Sequence, residues 1–201
     1  FWCIDGSPSY AANYHEKVQE APNTDIDVSV DENDTYAIMY TSGTTGRPKG
    51  AVHRHRDMAE QSLICIIGTK LSSEDRGLVT APMFHCAELH CNIIPRVHCG
   101  ASSVVMHHFD PAEVLRLVDQ EKITKFFAAP TMWNMLLQED LTKYSLECLK
   151  LGLYGAAPMA PTLVYACQEK LGISLVQAYG MTEMGPAITF LSAEDQIRKA
   201  G

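Results

Sequence analysis

The stretch SSVVMHHFDPAEVLRLVDQEKITKFFA, residues 102–128, carries the pattern that decides the fold. It opens with the apolar run Ser102–Met106 and closes with a second run, Lys125–Ala128, and both are typical of buried strands. Between them, Asp110 followed by a proline and then by Glu113 predicts a helix start, because an acidic N-cap and an early proline suit a first helical turn. The stretch therefore predicts a strand, a helix and a second strand.

The same alternation continues over most of the chain from Thr35 onwards. Further strands are predicted at Tyr36–Thr41, Gly77–Thr80, Leu149–Tyr154 and Ser174–Gln177, and further helices at Arg56–Ile67, Cys86–Val97 (interrupted by Pro95) and Pro161–Leu171 (ended by Gly172). Continuous apolar strands that alternate with helices predict an α/β fold with a mainly parallel sheet and helices on both faces. Ligands of such sheets bind beyond the carboxyl ends of the strands, so we expect the functional motifs to lie in strand-to-helix loops.

Composition narrows the possible functions. A hydrophobic fraction of 46% and a charged fraction of 20% are ordinary for a soluble globular protein, and a net charge of −8 argues against a nucleic-acid-binding surface. We find no signal peptide and no apolar run long enough to span a bilayer. The seven cysteines lie mostly in apolar stretches, which indicates core residues in a reducing compartment and predicts a cytoplasmic protein. Residues 1–34 are polar and irregular, and they are interpreted as a connecting arm.

The segment Tyr40–Gly50, YTSGTTGRPKG, has the composition of a polyphosphate cradle. Its three glycines free the backbone to approach a ligand, its hydroxyl groups can donate to phosphate oxygens, and Lys49 adds a positive charge. The spacing differs from the mononucleotide loop G-x-x-x-x-G-K-[ST], because Arg47 and Pro48 separate the last loop glycine from the lysine. A surface turn rich in serine, threonine and glycine is the plainer alternative.

A second motif, Gln177–Glu183, reads QAYGMTE and follows a predicted strand. Tyr179 could stack on an adenine, Thr182 could donate to a phosphate, and Glu183 could hold Mg²⁺ directly or through water. Taken alone, the motif could equally be a loop that runs into a helix cap.

Together these motifs resemble the adenylate-forming superfamily, which contains acyl-CoA synthetases, luciferases and peptide-synthetase adenylation domains. Tyr40–Gly50 matches every position of the first signature. Gln177–Glu183 is similar to the second signature, in which these positions meet the adenine, the α-phosphate and the metal, with Ala178 where glycine is commoner. Gly155–Pro158 resembles the adenine-side turn. Pro82–His85 is similar to the aromatic-histidine motif near the carboxylate pocket, although Glu88 stands where a small residue is usual.

The resemblance implies a reaction and a set of site residues. A carboxylate would attack the α-phosphorus of ATP and expel pyrophosphate, with Mg²⁺ at Glu183 as Lewis acid and template. The implied catalytic residues are Lys49, Thr182, Glu183 and His85. The implied nucleotide contacts are Thr41, Ser42, Gly43, Thr44, Thr45, Gly46, Lys49, Gly155, Ala156, Ala157, Gln177, Ala178, Tyr179, Gly180, Met181 and Thr182.

The acyl acceptor and the extent of the chain follow only from the resemblance. The small-residue turn Gly155–Ala157 favours coenzyme A as acceptor and a fatty acid as substrate, while aryl or amino acids and a carrier-protein thiol stay open. Relatives also use a ribose-binding aspartate, a hinge and a small C-terminal domain with a catalytic lysine, and none of these follows Gly201. We therefore expect residues 35–201 to be part of the large domain, nearly inert alone and prone to self-association.

Two other classes of function stay open. The pairs His85-Cys86, His90-Cys91 and His98-Cys99 could form a metal-binding module, but they recur in a largely apolar segment without the usual zinc-ligand spacing, so core packing is the better interpretation. A non-catalytic protein that senses ATP with the same loop is the second alternative.

Overall fold

The structure is a computed structural model, and it describes residues 2–6, 8–43 and 46–199. The chain forms two compact units, an N-terminal unit that ends at Asp31 and a main unit that begins at Glu32. Within the described residues, no helix is both long and apolar enough to cross a membrane.

The N-terminal unit contains two short parallel strands, β1 (Trp2–Cys3) and β2 (Ala12–Asn13), and the helix α1 (Tyr14–Glu20). The Asn13 side chain accepts hydrogen bonds from two N–H groups of the first turn of α1, as an N-cap does. The sequence pattern did not predict this helix, because none of its side chains is buried and it therefore has no apolar stripe. The boundary at residue 34 stays a prediction.

The main unit begins with an antiparallel hairpin formed by β3 (Thr35–Thr41) and β4 (Lys49–Arg54). The glycine-rich motif connects these two strands, so the expectation that it lies in a strand-to-helix loop was wrong. The physical reason is that β4 pairs back along β3, with Thr41 opposite Lys49, before any helix starts. Strand β4 was not predicted, because only one of its six residues is buried and its first two residues belong to the motif.

The central sheet has six strands, β5 (Arg76–Val79), β6 (Ser102–Val105), β7 (Lys125–Phe127), β8 (Leu151–Tyr154), β9 (Ser174–Gly180) and β10 (Ala187–Leu191). Their order in the sheet is β10-β9-β8-β7-β5-β6, and all are parallel except β10. The predicted fold class is confirmed. Five predicted strands recur here, while β10 was not predicted.

Helices cover both faces of this sheet. The helices of this unit are α2 (His55–Thr69), α3 (Cys86–Glu88), α4 (Ile94–Cys99), α5 (Pro111–Gln120), α6 (Pro130–Leu136), α7 (Pro161–Leu171) and α8 (Ala193–Lys199). Adjacent residues of β7 lie on opposite faces, since Phe126 belongs to the large core with α5, α6 and α7, while Phe127 packs on the other face near Ala87. The predicted helices are confirmed, while α6 and α8 were not predicted.

A π-helical turn, Leu89–Ile93, joins α3 to α4, so the chain stays helical from Cys86 to Cys99. The interruption of the helix that was predicted at Pro95 is this π-helical turn, which replaces a break in the helix. Proline has no N–H, and its ring crowds the preceding helical turn. The wider π-helical turn lies directly before Pro95, and in it the Ile94 N–H donates to the Leu89 carbonyl. The helical stretch thereby passes the proline without ending.

Candidate active site

A cleft of about 610 Å³ opens beyond the carboxyl ends of β7, β8 and β9. Its volume lies in the range of small-molecule and cofactor sites. The hairpin β3–β4 forms one wall, and the start of α3 and the segment after β9 form the others. The predicted site residues that line it are Thr41, Ser42, Gly43, Lys49, His85, Gly155, Ala156, Ala178, Tyr179, Gly180, Met181, Thr182 and Glu183.

A few predicted site residues do not join this cleft. Gly46 and Ala157 do not line it. Gln177 faces a different cavity of about 160 Å³, beside Tyr154 and Gln196. Side chains alternate along a strand, so the position before Ala178 in β9 points away from the Ala178 face. Thr44 and Thr45 lie outside the described residues.

The hairpin holds the two ends of the glycine-rich motif side by side. Thr41 and Lys49 are paired residues of β3 and β4, so both reach the same cleft wall. Gly43 has a left-handed backbone with φ of +65°, and a Cβ there would come 2.5 Å from the Arg47 carbonyl oxygen. Only glycine allows the loop to fold back on itself this closely.

A hydrogen bond joins the two motifs across 142 residues of sequence. The Thr41 hydroxyl donates to Glu183 Oε1 at 3.3 Å. Glu183 is exposed, and an exposed carboxylate beside a hydroxyl has the oxygen donors that Mg²⁺ prefers, with room for the waters it retains. The residues present therefore fit a magnesium ion.

The neighbouring residues of the second motif offer a flat ring and a hydroxyl. Tyr179 is 64% exposed, so its ring is accessible to a planar ligand. The Thr182 hydroxyl lies 3.4 Å from Cys86 Sγ, which ties this motif to the start of α3. Both residues line the cleft.

The predicted adenine-side turn has an unusual backbone. Ala156 adopts a left-handed conformation with φ of +65°, which costs energy for a residue with a Cβ. A Cβ on Gly155 would come 2.7 Å from the Ala178 carbonyl oxygen, so the turn packs directly against β9. Backbone strain of this kind is concentrated at ligand-binding sites.

His85 lies at the cleft wall as the N-cap of α3. Its Nδ1 accepts a hydrogen bond from the Ala87 N–H at 3.1 Å. In the neutral ring, this contact puts the proton on Nε2, which is then the atom that can donate to a ligand.

Several residues of the cleft were not predicted. The signal for Phe127 and Leu153 was present, because each lies at the carboxyl end of a predicted parallel strand. No local pattern distinguished the two cysteines and the residues after the second motif from ordinary core positions. These residues are Cys86, Ala87, Cys91, Phe127, Leu153, Pro186 and Ala187.

The histidine-cysteine pairs do not converge. The part of the chain that the structure describes contains no group of three or more histidine, cysteine, aspartate or glutamate side chains placed to hold a metal. His90 is buried beside the ring of His53, with ring centroids 5.3 Å apart, and His98 Nδ1 lies 2.9 Å from the Ser62 hydroxyl. The core-packing interpretation therefore holds for His90 and Cys91, whereas His85 and His98 are exposed.

Comparison with known proteins identifies the family. Residues 2–201 match the family described as AMP-binding enzyme. The chain belongs to the AMP-binding enzyme family. It is 35% identical to a feruloyl-CoA synthase from Amycolatopsis sp over 176 residues, which are 87% of this chain and 36% of that protein. It is also 36% identical to 2-succinylbenzoate--CoA ligase from Bacillus licheniformis over 98% of this chain and 40% of that protein.

Solved structures of this AMP-binding enzyme family share the fold. The N-terminal domain of FACL13 from Mycobacterium tuberculosis superposes with a TM-score of 0.84 at 32% identity, over 92% of this chain and 46% of that one. O-succinylbenzoate coenzyme A synthetase (MenE) from Bacillus subtilis, in complex with ATP and magnesium ion, gives a TM-score of 0.80 at 28% identity over 91% of this chain and 38% of that one. The chain thus spans less than half the length of these relatives.

Proposed function

We propose that this protein activates a carboxylic acid with ATP, forming an acyl-adenylate and pyrophosphate, and passes the acyl group to coenzyme A as a thioester. One observation carries the proposal. The hydroxyl of Thr41 and the carboxylate of Glu183, from two motifs far apart in sequence, are hydrogen-bonded at the wall of one cleft. Each motif has the chemistry of a nucleotide contact, and their convergence is what a single ATP site requires.

The reaction needs positioning and charge neutralisation more than covalent chemistry, because the acid and the triphosphate are both anionic. In this proposal Lys49 and the hydroxyls of the glycine-rich motif hold the departing phosphates, and Tyr179 stacks on the adenine beside Gly155 and Ala156. Thr182 donates to the α-phosphate. A magnesium ion held by Glu183 would offset the charge that develops on the phosphates.

The acid would occupy the apolar depth of the cleft. Phe127, Leu153 and Ala87 pack together and line the cleft, as His85 does, and they suit an aliphatic or aromatic group. A fatty acid stays the first candidate from the sequence. An aryl acid is the second candidate, and the similarity to the feruloyl-CoA synthase favours it.

The domain assignment, the localisation and the self-association of this protein are also proposals. We propose that residues 35–201 form part of the large nucleotide-binding domain of the enzyme and that the protein works in the cytoplasm. Self-association of this chain is a prediction that follows from its exposed apolar side chains, such as Ile38, Val52 and Ile67.

The test is pyrophosphate release by the intact protein with ATP, Mg²⁺ and a panel of fatty, aryl and amino acids, each with and without coenzyme A. We expect release that depends on the acid, and a thioester only when coenzyme A is present. ATP binding without acid-dependent release for any acid would favour the non-catalytic alternative. Adenylate formation without a thioester would indicate another acceptor.

A further inference from the structure

Glu88 is a fully buried carboxylate directly behind the cleft wall. It is the last residue of α3, just after Cys86 and Ala87, which line the cleft, but it does not line the cleft itself. Burying a carboxylate is costly unless hydrogen bonds or an opposite charge compensate it. A residue of this kind needs a structural or functional reason.

The two oxygens of the Glu88 carboxylate differ in their hydrogen bonds. Oε2 accepts a hydrogen bond from the Ala81 N–H at 3.1 Å, while Oε1 has no partner among the described residues. Burial raises the pKa of Glu88 to about 7, and the charge of buried Arg96 and the backbone of Ala81 and Thr80 offset that rise only in part. The Ala81 N–H therefore acts together with the charge of Arg96 and the backbone of Thr80 in compensating the buried carboxylate.

This bond closes the loop that carries the aromatic-histidine motif. The loop Ala81–His85 leads from β5 to α3. The Glu88 side chain holds its first residue, and the Glu88 N–H donates to the carbonyl of its last residue, His85, at 3.1 Å. Inside the loop, the His85 N–H donates to the Pro82 carbonyl at 3.0 Å. Both ends of the loop are thus fixed to one residue.

We infer that Glu88 is a positioning residue, whose carboxylate fixes the loop Ala81–His85 and so places His85 at the cleft wall, at the end where the proposed function puts the carboxylic acid. His85 is itself exposed, so its own packing does little to hold it. The part of the inference that concerns the acid rests on the proposed function, whereas the part that concerns the loop does not.

The first test is amide hydrogen exchange at Ala81 in the intact protein. Glu88→Ala and Glu88→Leu remove the acceptor, and the leucine variant still fills the space. We expect exchange at Ala81 to become about tenfold faster in both, while Glu88→Gln, whose amide oxygen can accept the same bond, stays close to wild type.

The control for this exchange test is Asn92→Ala. It removes two other side-chain bonds of the same helical stretch, from Asn92 Nδ2 to the Ala87 carbonyl at 2.8 Å and from Arg96 to Asn92 Oδ1 at 3.4 Å, and it leaves the Glu88 carboxylate in place. This variant should lose stability without faster exchange at Ala81. Unchanged exchange at Ala81 in the alanine and leucine variants would overturn the inference.

The second test separates positioning from a general loss of folding. With the acid that works best in wild type, Glu88→Ala should raise KM for the acid about tenfold and leave KM for ATP nearly unchanged, and Glu88→Gln should restore the acid KM. An equal rise in both KM values would contradict positioning at the acid end. If wild type shows no acid-dependent reaction, the proposed function fails, while the exchange measurement still decides the role of Glu88.

Discussion

Glu88 and His90 lie two residues apart, both buried, and their pKa values move in opposite directions. Burial raises the pKa of Glu88 from 4.5 to about 7, and burial together with the nearby His53 lowers the pKa of His90 from 6.5 to about 4. Each shift disfavours the charged form, as desolvation does. The folded protein therefore binds the Glu88 proton more tightly than the unfolded chain does, and the His90 proton less tightly.

The two residues should oppose each other in the pH dependence of stability. The Glu88 contribution is fully present below pH 4.5 and is lost as the pH rises through about 7. The His90 contribution is present above pH 6.5 and is lost as the pH falls through about 4. At most about 3 kcal/mol of the free energy of unfolding is involved for each of the two groups.

We predict that Glu88→Gln is destabilised more than wild type when the pH falls from 6.5 to 4.5, because only the His90 effect remains. His90→Phe should show the reverse difference, since only the Glu88 effect remains. Urea unfolding at pH 4.5, 5.5 and 6.5 measures both. A difference from wild type that stays constant over this range would show that these groups do not titrate as described.

Lys49 is the positive charge of the glycine-rich motif at the cleft wall. We predict that Lys49→Ala lowers the adenylation rate about tenfold to a hundredfold, while KM for the acid changes much less, because charge on the departing phosphates grows during the reaction. Steady-state pyrophosphate release measures both constants. The exposed Lys170 of α7 provides the control, since Lys170→Ala should leave the rate unchanged. Wild-type turnover in Lys49→Ala would exclude this role.

The role of Glu183 is tested by the dependence of the reaction rate on the Mg²⁺ concentration. Glu183→Gln keeps the size of the side chain and an oxygen that can accept from Thr41, but it removes the charge. The Mg²⁺ concentration for the half-maximal rate should rise about tenfold or more, with little change in melting temperature because the side chain is exposed. Glu169→Gln, on the exposed side of α7, is the matched control. An unmoved magnesium curve would make Glu183 a structural residue.

At the scale of elements, sequence patterns predicted what local hydrophobicity determines. The parallel strands and the amphipathic helices α5 and α7 carry their own signals, and those predictions are confirmed. The expectation that residues 102–106 are buried was wrong, because β6 is an edge strand and most of its residues are exposed. The mostly exposed strands β4 and β10 carry no such hydrophobic signal. β4 and β10 pair antiparallel with β3 and β9, and only one of the six residues of β4 and one of the five of β10 are buried. Their pairing depends on the tertiary structure, so an apolar pattern could not reveal it.

The hairpin of β9 and β10 depends on one glycine. A Cβ on Gly180 would lie 1.6 Å from the Pro186 carbonyl oxygen, a backbone atom that cannot move without separating the strands. We predict that Gly180→Ala destabilises the protein by about 3 kcal/mol or more. Gly172→Ala has open space around the new methyl group but a left-handed backbone, so it should cost only about 1 kcal/mol. Thermal unfolding compares the two, and equal losses would contradict the close approach at Gly180.

At the scale of the whole molecule, the sequence predicted the parts of the site but not how they meet. The two motifs were recognisable because each has an unusual local composition. The bond between Thr41 and Glu183 and the contact between Cys86 and Thr182 join residues far apart in the chain, and only the folded topology brings them together. Gln177 shows the converse, since it belongs to the motif by sequence yet faces another cavity because of strand alternation.

The central claim is that both motifs bind one ATP molecule and that a carboxylic acid attacks its α-phosphorus. The most direct measurement is mass spectrometry of the products when the intact protein is incubated with ATP, Mg²⁺ and an acid but without coenzyme A. The account predicts an acyl-adenylate together with pyrophosphate, in amounts that fall sharply in Lys49→Ala. ADP and orthophosphate in place of these products, or ATP that binds and stays intact with every acid, would contradict it.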